Sequence, residues 1–440
     1  MNKQNKDIKV HFIGVGGAGV SVLARLLLNK NFTVSGSDIA FTKTVEDLTS
    51  MGLNFNLGHD ASAVENVDVV VYSSAITVDN VELLKAKQLK KATFTRAEFL
   101  SLILTCYKKT VGISGSHGKT TATSMLANVL KYANKQITAL IGGSDINLGS
   151  FVFSPSNYAL ITEVCEFAKN IKEVTTSVAV CLNIDNDHLD SYGSFGELKK
   201  EFYSYLSRAK FKVLCADDKE LSNYKGKNVI TYGVDNKADY FATNVNSNGG
   251  KYSFDLYYKD KYINRFDLSV YGIHNVYNAL SCIAVANSYF KLPFEDIYKG
   301  LLTFKGVMRR FEEYNLFDKK IIFDYAHHPT EIEKSILAVK EVVNGDFLTV
   351  FQPHTYSRTK LLFNDFVKVL SGNNIIIYKE YPAREVYDEL GSSKRLSENV
   401  TNSIYFDNVN LLLKYIKDSK YSSVLVLGAG DLYDKIKNAD

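Results

Sequence analysis

Short apolar runs alternate along this chain with stretches whose apolar positions recur every three or four residues, the pattern of strands followed by helices. Ile8 to Ile13 is the first run. A glycine-rich turn follows, then a helical stretch through about Asn29 and a second strand ending at Ser35-Gly36-Ser37-Asp38. Val67 to Tyr72 reads as a further strand, and short helices near Val81 to Lys90 and Arg96 to Leu104 complete a small open sheet. Past an apolar strand end at Val111-Gly112-Ile113, Ala122 to Tyr132 carries Met125, Leu126, Val129 and Leu130 at helical spacing. Tyr158 to Thr162 and Ser177 to Leu182 read as buried strands, and Glu197 to Arg208 as a helix. From about Val229 to Tyr271 polar positions alternate with apolar and aromatic ones, which predicts antiparallel strands covering one side of a domain. A helix then runs from near Gly272 through Tyr289.

Beyond Phe304, strands at Ile321 to Asp324, Phe347 to Phe351, Asn374 to Tyr378, Ser403 to Phe406 and Ser423 to Leu427 alternate with helices at Glu331 to Val343, Thr359 to Leu370 and Val409 to Lys417. The whole reads as α/β, in three domains: an N-terminal Rossmann-like one, a central parallel sheet of the P-loop ATPase type, and a second Rossmann-like unit at the C-terminus. The expected boundaries are 1–107, 108–303 and 304–440.

Candidate chemistry sits where the strands end. Gly115-Ser116-His117-Gly118-Lys119-Thr120-Thr121 joins a strand to a helix. Glycines let the backbone close around phosphate oxygens, and the helix N-terminus offers unpaired N–H groups and partial positive charge. Lys119 would reach the outer phosphates of a nucleoside triphosphate, and the Thr120 hydroxyl would sit on a Mg2+ bridging them. The strict pattern wants glycine where Ile113 stands, so this is a shorter form of the loop. Chain reversal alone would explain the glycines but not Lys-Thr-Thr.

The earlier turn, Gly14-Val15-Gly16-Gly17-Ala18-Gly19, with Asp38 about 20 residues on, has the form of a pyrophosphate site. A dinucleotide and a UDP-linked ligand fit it equally. Ser73 and Ser74 lie just past the carboxyl end of the Val67 to Tyr72 strand, where ligands collect in such sheets; His59 is nearby, although a lone histidine is more often structural. In the central segment, Glu163 and His188 follow the ends of two apolar strands and are candidates to hold Mg2+ or orient its waters. Asp185, Asp187 and Asp190 are equally well read as caps of the next helix. Asn275 and Asn278, three apart on one helical face, can read a purine edge or cap the helix. Four strand ends of the last segment carry Asp324-Tyr325-Ala326-His327-His328-Pro329, Gln352 to Arg358, Tyr381 to Glu385 and Gly428-Ala429-Gly430-Asp431.

Composition narrows this little further. At 440 residues with 46% hydrophobic and 23% charged, the chain has ample core for several domains. A net charge of +4 argues against a nucleic-acid partner. No stretch is long and apolar enough to span a bilayer, and the polar, charged start lacks a signal-peptide core, so a cytoplasmic location is expected. Five scattered cysteines without a C-x-x-C pair read as reduced thiols.

Taken together, these residues resemble those of the Mur ligases, ATP-dependent amide-forming enzymes of peptidoglycan precursor synthesis. The resemblance runs from His11-Phe12-Ile13-Gly14 to Gly428-Ala429-Gly430-Asp431. Val34-Ser35-Gly36-Ser37-Asp38, Tyr325 to Glu331, Phe351 to Arg358 and Tyr381-Pro382-Ala383-Arg384-Glu385 point within that family to the branch that adds L-alanine to UDP-N-acetylmuramate.

The resemblance implies an N-terminal domain for the UDP-sugar (Gly14, Gly16, Gly17, Gly19, Asp38, Ser73, Ser74), a central ATPase, and a C-terminal domain that closes over ATP and receives the amino acid. By motif, Lys119 contacts the β and γ phosphates; Thr120, Glu163 and His188 serve magnesium; Asn275 and Asn278 lie at adenine; Arg310 approaches the γ phosphate; and Asp324 holds the ribose. Lys119, His188 and Arg310 are thus the catalytic candidates, and His328, Arg358 and Arg384 the amino-acid-binding ones. Thr355 stands where some relatives carry Arg, and the run around Glu163 is less acidic than in many, so Glu166 is read as sharing or exchanging roles with Glu163. The implied reaction activates the lactyl carboxylate as an acyl phosphate before the alanine amine attacks, with His188, His327 and His328 as candidate proton acceptors. ATP and Mg2+ are the expected cofactors, UDP-N-acetylmuramate and L-alanine the substrates, and the chain is expected to be a monomer or weak homodimer. The rivals are a sister ligase attaching a recycled tripeptide to the same sugar nucleotide, a nicotinamide-dependent oxidoreductase, which would leave Lys119-Thr120-Thr121 without a task, and a non-enzymatic nucleotide-binding protein.

Overall fold

A computed structural model of the chain describes residues 7–186, 192–383 and 385–439. They pack as two compact units. The first comprises Met1–Phe241, Tyr257–Lys261 and Asn278–Thr303; the second comprises Ala242–Leu256, Tyr262–Tyr277 and Phe304–Asp440.

Two sheets lie in the first unit. β1 (Lys9–Ile13), β2 (Thr33–Asp38), β3 (Asn54–Leu57), β4 (Val69–Tyr72) and β5 (Ala92–Thr95) form an all-parallel sheet in the order β3-β2-β1-β4-β5. Strand order reverses between β1 and β4, and the glycine turn leading from β1 into α1 (Ala18–Asn29) sits at that switch point. Two short edge strands, β3 and β5, escape a periodicity reading because their residues are mostly half-exposed. α2 (Lys43–Ser50) follows β2, and α3 (Val81–Gln88) starts on an Asn80 cap. α4 (Arg96–Thr105) starts on a capping box, Thr95 accepting from Glu98 N and Glu98 accepting from Thr95 N.

The second sheet is built around β6 (Lys109–Ser114). Val111 pairs with Ile161 of β9 (Ala159–Glu163) on one side and with Val178 of β10 (Val178–Cys181) on the other, all parallel. These strands are apolar and buried along their length, as a parallel sheet covered on both faces requires. β7 (Ile137–Asp145) lies beyond β9 and carries antiparallel β8 (Gly149–Val152). On the other side come β11 (Phe211–Cys215) and β12 (Val229–Gly233), both parallel. Here an expectation fails: Val229 to Tyr271 does not begin as an antiparallel layer. Val229–Gly233 extends the parallel ladder, and Tyr240 of β13 (Tyr240–Asn248) pairs with it in parallel too. β12 lies between β11 and β13, and an alternation of polar and apolar positions does not distinguish a parallel neighbour from an antiparallel one. α5 (Lys119–Tyr132) packs over the sheet with Met125, Leu126, Val129 and Leu130 buried.

In the second unit, β14 (Lys251–Tyr258) and β15 (Lys261–Tyr271) follow β13. Then β16 (Glu312–Leu316), β17 (Lys319–Asp324), β18 (Leu348–Phe351), β19 (Asn374–Tyr378), β20 (Ile404–Phe406) and β21 (Ser423–Leu427) form a sheet in the order β16-β17-β21-β18-β19-β20. All pairs are parallel except β16 with β17. Alternate strand residues face two cores: Ile322, Phe351, Ile377 and Leu425 with the helix Pro329–Val342 on one side, Ile321, Val350, Ile376 and Val424 with the helix Val409–Asp418 on the other. The single helix expected over Thr359 to Leu370 is two, Tyr356–Leu361 and Phe363–Leu370, because Leu362 leaves helical geometry (φ −104°, ψ 23°) while staying buried in the first of these cores. Among the described residues no helix is long and apolar enough to cross a membrane.

Candidate functional site

Parallel pairing brings three strand ends of the first unit to one edge. The register Ile113↔Glu163 and Cys181↔Ser114 sets the glycine loop after β6 between Glu163 and the segment Leu182 to Asp185. The loop is fixed by its neighbours. Ser116 N donates to Asn183 O, His117 N donates to Asn183 Oδ1 (2.8 Å), and Asn183 Nδ2 returns a bond to His117 O (3.1 Å). The helix Phe195–Arg208 is capped by Ser194, and Asp185 Oδ2 lies 2.8 Å from His117 Nε2. The capping alternative for Asp185 is thereby corrected.

Gly118 caps α5 in the left-handed region (φ +85°), and a Cβ there would lie 2.7 Å from Asn278 Oδ1. Both the backbone angle and the close amide exclude a side chain. Lys119 opens α5 and folds back over the loop, donating to the carbonyls of Gly115 and Ser116 and to both oxygens of Glu166 (3.0 and 3.1 Å). Burial alone would depress this ammonium's pKa; the adjacent Glu166 carboxylate outweighs it, and the pKa is raised. Thr120 Oγ1 donates to Glu163 Oε2 (3.1 Å), while Glu163 Oε1 accepts from Gly142 N. The two glutamates therefore divide the work between them, Glu163 at the threonine hydroxyl and Glu166 at the lysine. A hydroxyl beside a carboxylate is a hard-oxygen donor pair, the chemistry Mg2+ takes. Thr121 is the third residue of α5.

At the carboxyl edge of the first sheet, Gly14 has φ +77° and its N donates to Ser37 O. Asp38 accepts from Gly16 N (2.9 Å), so this carboxylate shapes the turn. Ser73 and Ser74 follow β4, and a Cβ on Gly14 would lie 3.3 Å from the Ser73 Cβ. Arg96, the first residue of α4, was not singled out in the sequence; its Nε donates to Gly19 O (3.0 Å) in the first turn of α1, and Glu163 is among the charges acting on it. No short-range motif marks it, since Gly19 and Arg96 are 77 residues apart.

The second unit gathers another set. Asp324, at the end of β17, accepts from Phe311 N and Ala326 N (both 2.9 Å); burial raises its pKa against the opposing pull of Arg310. Arg310 stands 4.9 Å over the Tyr325 ring and 3.9 Å from Glu331. His328 caps the helix Pro329–Val342, accepting from Thr330 N. Arg358 Nη1 lies 3.4 Å from His354 Nδ1, His354 stacks on Tyr381, and His327 meets His354 edge-on at 5.8 Å. Burial, with Arg358 nearby, pushes the His354 pKa down to about 4; burial likewise pushes His327 down to about 3. Both imidazoles are neutral at pH 7. Asn275, on the helix His274–Ser288, donates through Nδ2 to Tyr271 O (2.7 Å), while Asn278, three residues on, faces Gly118. His188 and Arg384, with Asp187 and Asp190, lie outside the described residues.

Residues 9–108 match the Mur ligase family catalytic domain, 113–286 the Mur ligase middle domain, and 309–430 the Mur ligase glutamate ligase domain. The chain is 37% identical to a UDP-N-acetylmuramate--L-alanine ligase of Caldanaerobacter subterraneus subsp. tengcongensis, over 97% of this chain and 96% of that one. It is 38% identical to the enzyme of the same name from Clostridium acetobutylicum, over 98% and 97%. The fold is similar to that of a UDP-N-acetylmuramate-alanine ligase from Thermotoga maritima, with a TM-score of 0.82 and 26% identity, covering 98% of this chain and 100% of that one.

Proposed function

We propose, from the premise that this chain belongs to the Mur ligase family, that it joins L-alanine to the lactyl carboxylate of UDP-N-acetylmuramate with cleavage of ATP to ADP and phosphate. It is an ATP-dependent carbon–nitrogen ligase of peptidoglycan precursor synthesis. The observation that carries this over attachment of a tripeptide is the full-length similarity to ligases named for L-alanine. The nicotinamide reading loses its support with the same finding, and the wired phosphate loop argues against a purely structural role.

The chemistry assigns each group a task. A carboxylate exchanges no oxygen for nitrogen until it carries a better leaving group, so a carboxylate oxygen attacks the γ phosphorus and ADP leaves. The alanine amine then attacks the acyl carbon and inorganic phosphate departs. Lys119 holds the β and γ phosphates, exchanging its bond to Glu166 for one to phosphate, and Arg310 offsets the charge of the transferred group. Thr120 and Glu163, with His188, would hold Mg2+, which when bound would supply charge neutralisation at the phosphates. Gly115, Ser116, His117, Gly118 and Thr121 line the phosphates; Asn275 and Asn278 serve adenine and Asp324 the ribose.

Gly14, Gly16, Gly17, Gly19, Asp38, Ser73 and Ser74 receive the UDP-sugar. His328, Arg358 and Arg384 receive the amino acid. With its pKa near 3, His327 is too weak a base to retain the amine proton, which favours His328 or His188 for that task. These roles divide along residues 1–107, 108–303 and 304–440, and the protein acts in the cytoplasm as a monomer or weak homodimer. The test is transfer of label: with 18O in the lactyl carboxylate, one 18O should appear in the released phosphate. Phosphate free of label would overturn the acyl-phosphate route.

A further inference from the structure

A buried polar cluster lies behind the glycine turn of the first sheet. Glu82, on α3, is fully buried, and its carboxylate accepts from Ser37 Oγ (2.6 Å), from Asp60 N (3.1 Å) and from His59 Nδ1 (3.2 Å). His11 Nε2 stands 3.6 Å away, and His11 Nδ1 lies 2.9 Å from Ser35 Oγ. Burial opposes ionisation of Glu82, but His11, Ser37 and the Asp60 amide prevail and its pKa is lowered, so the carboxylate only accepts.

That settles the histidine. His59 Nδ1 faces Glu82 and the Ser37 oxygen (3.2 Å each), and the Ser37 proton is already given to Glu82. Nδ1 meets acceptors alone and must carry a proton, so in the neutral imidazole the lone pair sits on Nε2. With Nδ1 turned inward and the side chain 18% exposed, the open edge of the ring is the Nε2 edge.

Its place in the sheet is specific. Leu57 of β3 pairs with Asp38 of β2, and Gly58 N donates to Asp38 O, so His59 follows at the same carboxyl edge, next to the acidic residue that shapes the glycine turn. In sheets of this kind the nucleoside lies on the β2 side of the switch point and the diphosphate at the helix N-terminus. A nucleoside here would bring its N–H and O–H donors within reach of an acceptor whose ring is held by Glu82.

We propose that His59 contacts the sugar nucleotide, its Nε2 accepting a hydrogen bond from the uridine moiety, with Glu82 as the positioning residue that fixes the ring's tautomer and direction. The proposal rests on the reading that the glycine turn binds a UDP-linked substrate, and goes beyond it by naming the group that reads the nucleoside.

The test separates the two ring nitrogens. His59→Asn keeps a donor where Nδ1 sits and removes Nε2; His59→Gln places an amide near Nε2. The expected result is UDP-N-acetylmuramate binding about tenfold weaker in His59→Asn, partly regained in His59→Gln, with ATP affinity unchanged in both. On the wild-type protein labelled with 15N histidine, the His59 Nε2 resonance should shift on titration with UDP. Dependence on His59 should vanish with 2′-deoxy-UDP if the partner is the ribose 2′-hydroxyl, and with CDP if it is the imide N–H. Equal binding by wild type and His59→Asn, or a resonance unmoved by UDP, would overturn the proposal. Failure of the wild type to bind UDP-N-acetylmuramate would instead overturn the underlying reading.

Discussion

Lys119 is the residue on which the proposed separation of the ATP and sugar-nucleotide sites can be tested. Its ammonium is held by Glu166 and by two carbonyls of its own loop, the contacts that give the loop its shape. Lys119→Ala should cut turnover by about 10²–10³-fold or more while leaving the dissociation constant for UDP-N-acetylmuramate unchanged, since the glycine turn at Gly14 belongs to a different sheet. Calorimetric titration checks this; loss of sugar-nucleotide binding in a folded variant would contradict the division of sites. Thr355 offers a second test. Its backbone (φ 69°, ψ 145°) lies in a region open almost only to glycine, and it is β-branched. Such strain costs about 1–3 kcal/mol, against about 0.5–1 kcal/mol of entropy for introducing glycine, so Thr355→Gly should stabilise the protein by about 1 kcal/mol in denaturant unfolding. A destabilised variant would show that the threonine side chain contributes more than its backbone costs.

At the scale of elements, parallel pairing aligns the strand ends on which the candidate residues stand. This much was legible in the sequence: apolar runs ending at Glu163, Asp324 or just before Gln352 declare the strand and the end at which polar residues gather. What stayed illegible were partners far apart in the chain. Glu82 reads as an unremarkable helical glutamate, yet it lies buried against Ser37, 45 residues earlier; His59 alone looked structural, and only the sheet places it beside Asp38. The direction of β12 was misread because alternation along a strand does not reveal whether its neighbours run parallel or antiparallel.

The second unit also holds buried neutral histidines at its element ends. His274 is pushed down to about 4 by burial and by Lys334 and Arg310, as His354 is by burial and Arg358. Their folded pKa values lie below the unfolded value of about 6.5. Above pH 6.5 both states are neutral and nothing is lost. As pH falls from 6.5 towards 4 the unfolded chain takes up protons the folded one refuses, so stability falls by about 1.4 kcal/mol per histidine per pH unit. Equilibrium unfolding between pH 7 and 5 should show that loss, reduced in His274→Gln; a flat profile would contradict it.

For the whole molecule, three matched domains of one family span the chain, and the proposed two-step ligation divides among them: one part for the sugar nucleotide, one for ATP, one for the amino acid. The measurement that bears most directly on this is phosphate release from ATP and Mg2+ in the presence of UDP-N-acetylmuramate, with no amine, with L-alanine, or with the L-Ala-D-Glu-diamino acid tripeptide. Release that requires both the sugar nucleotide and L-alanine is the expected result. Release with the tripeptide alone would contradict it and assign the chain to the sister reaction, and release with neither amine would contradict ligase activity itself.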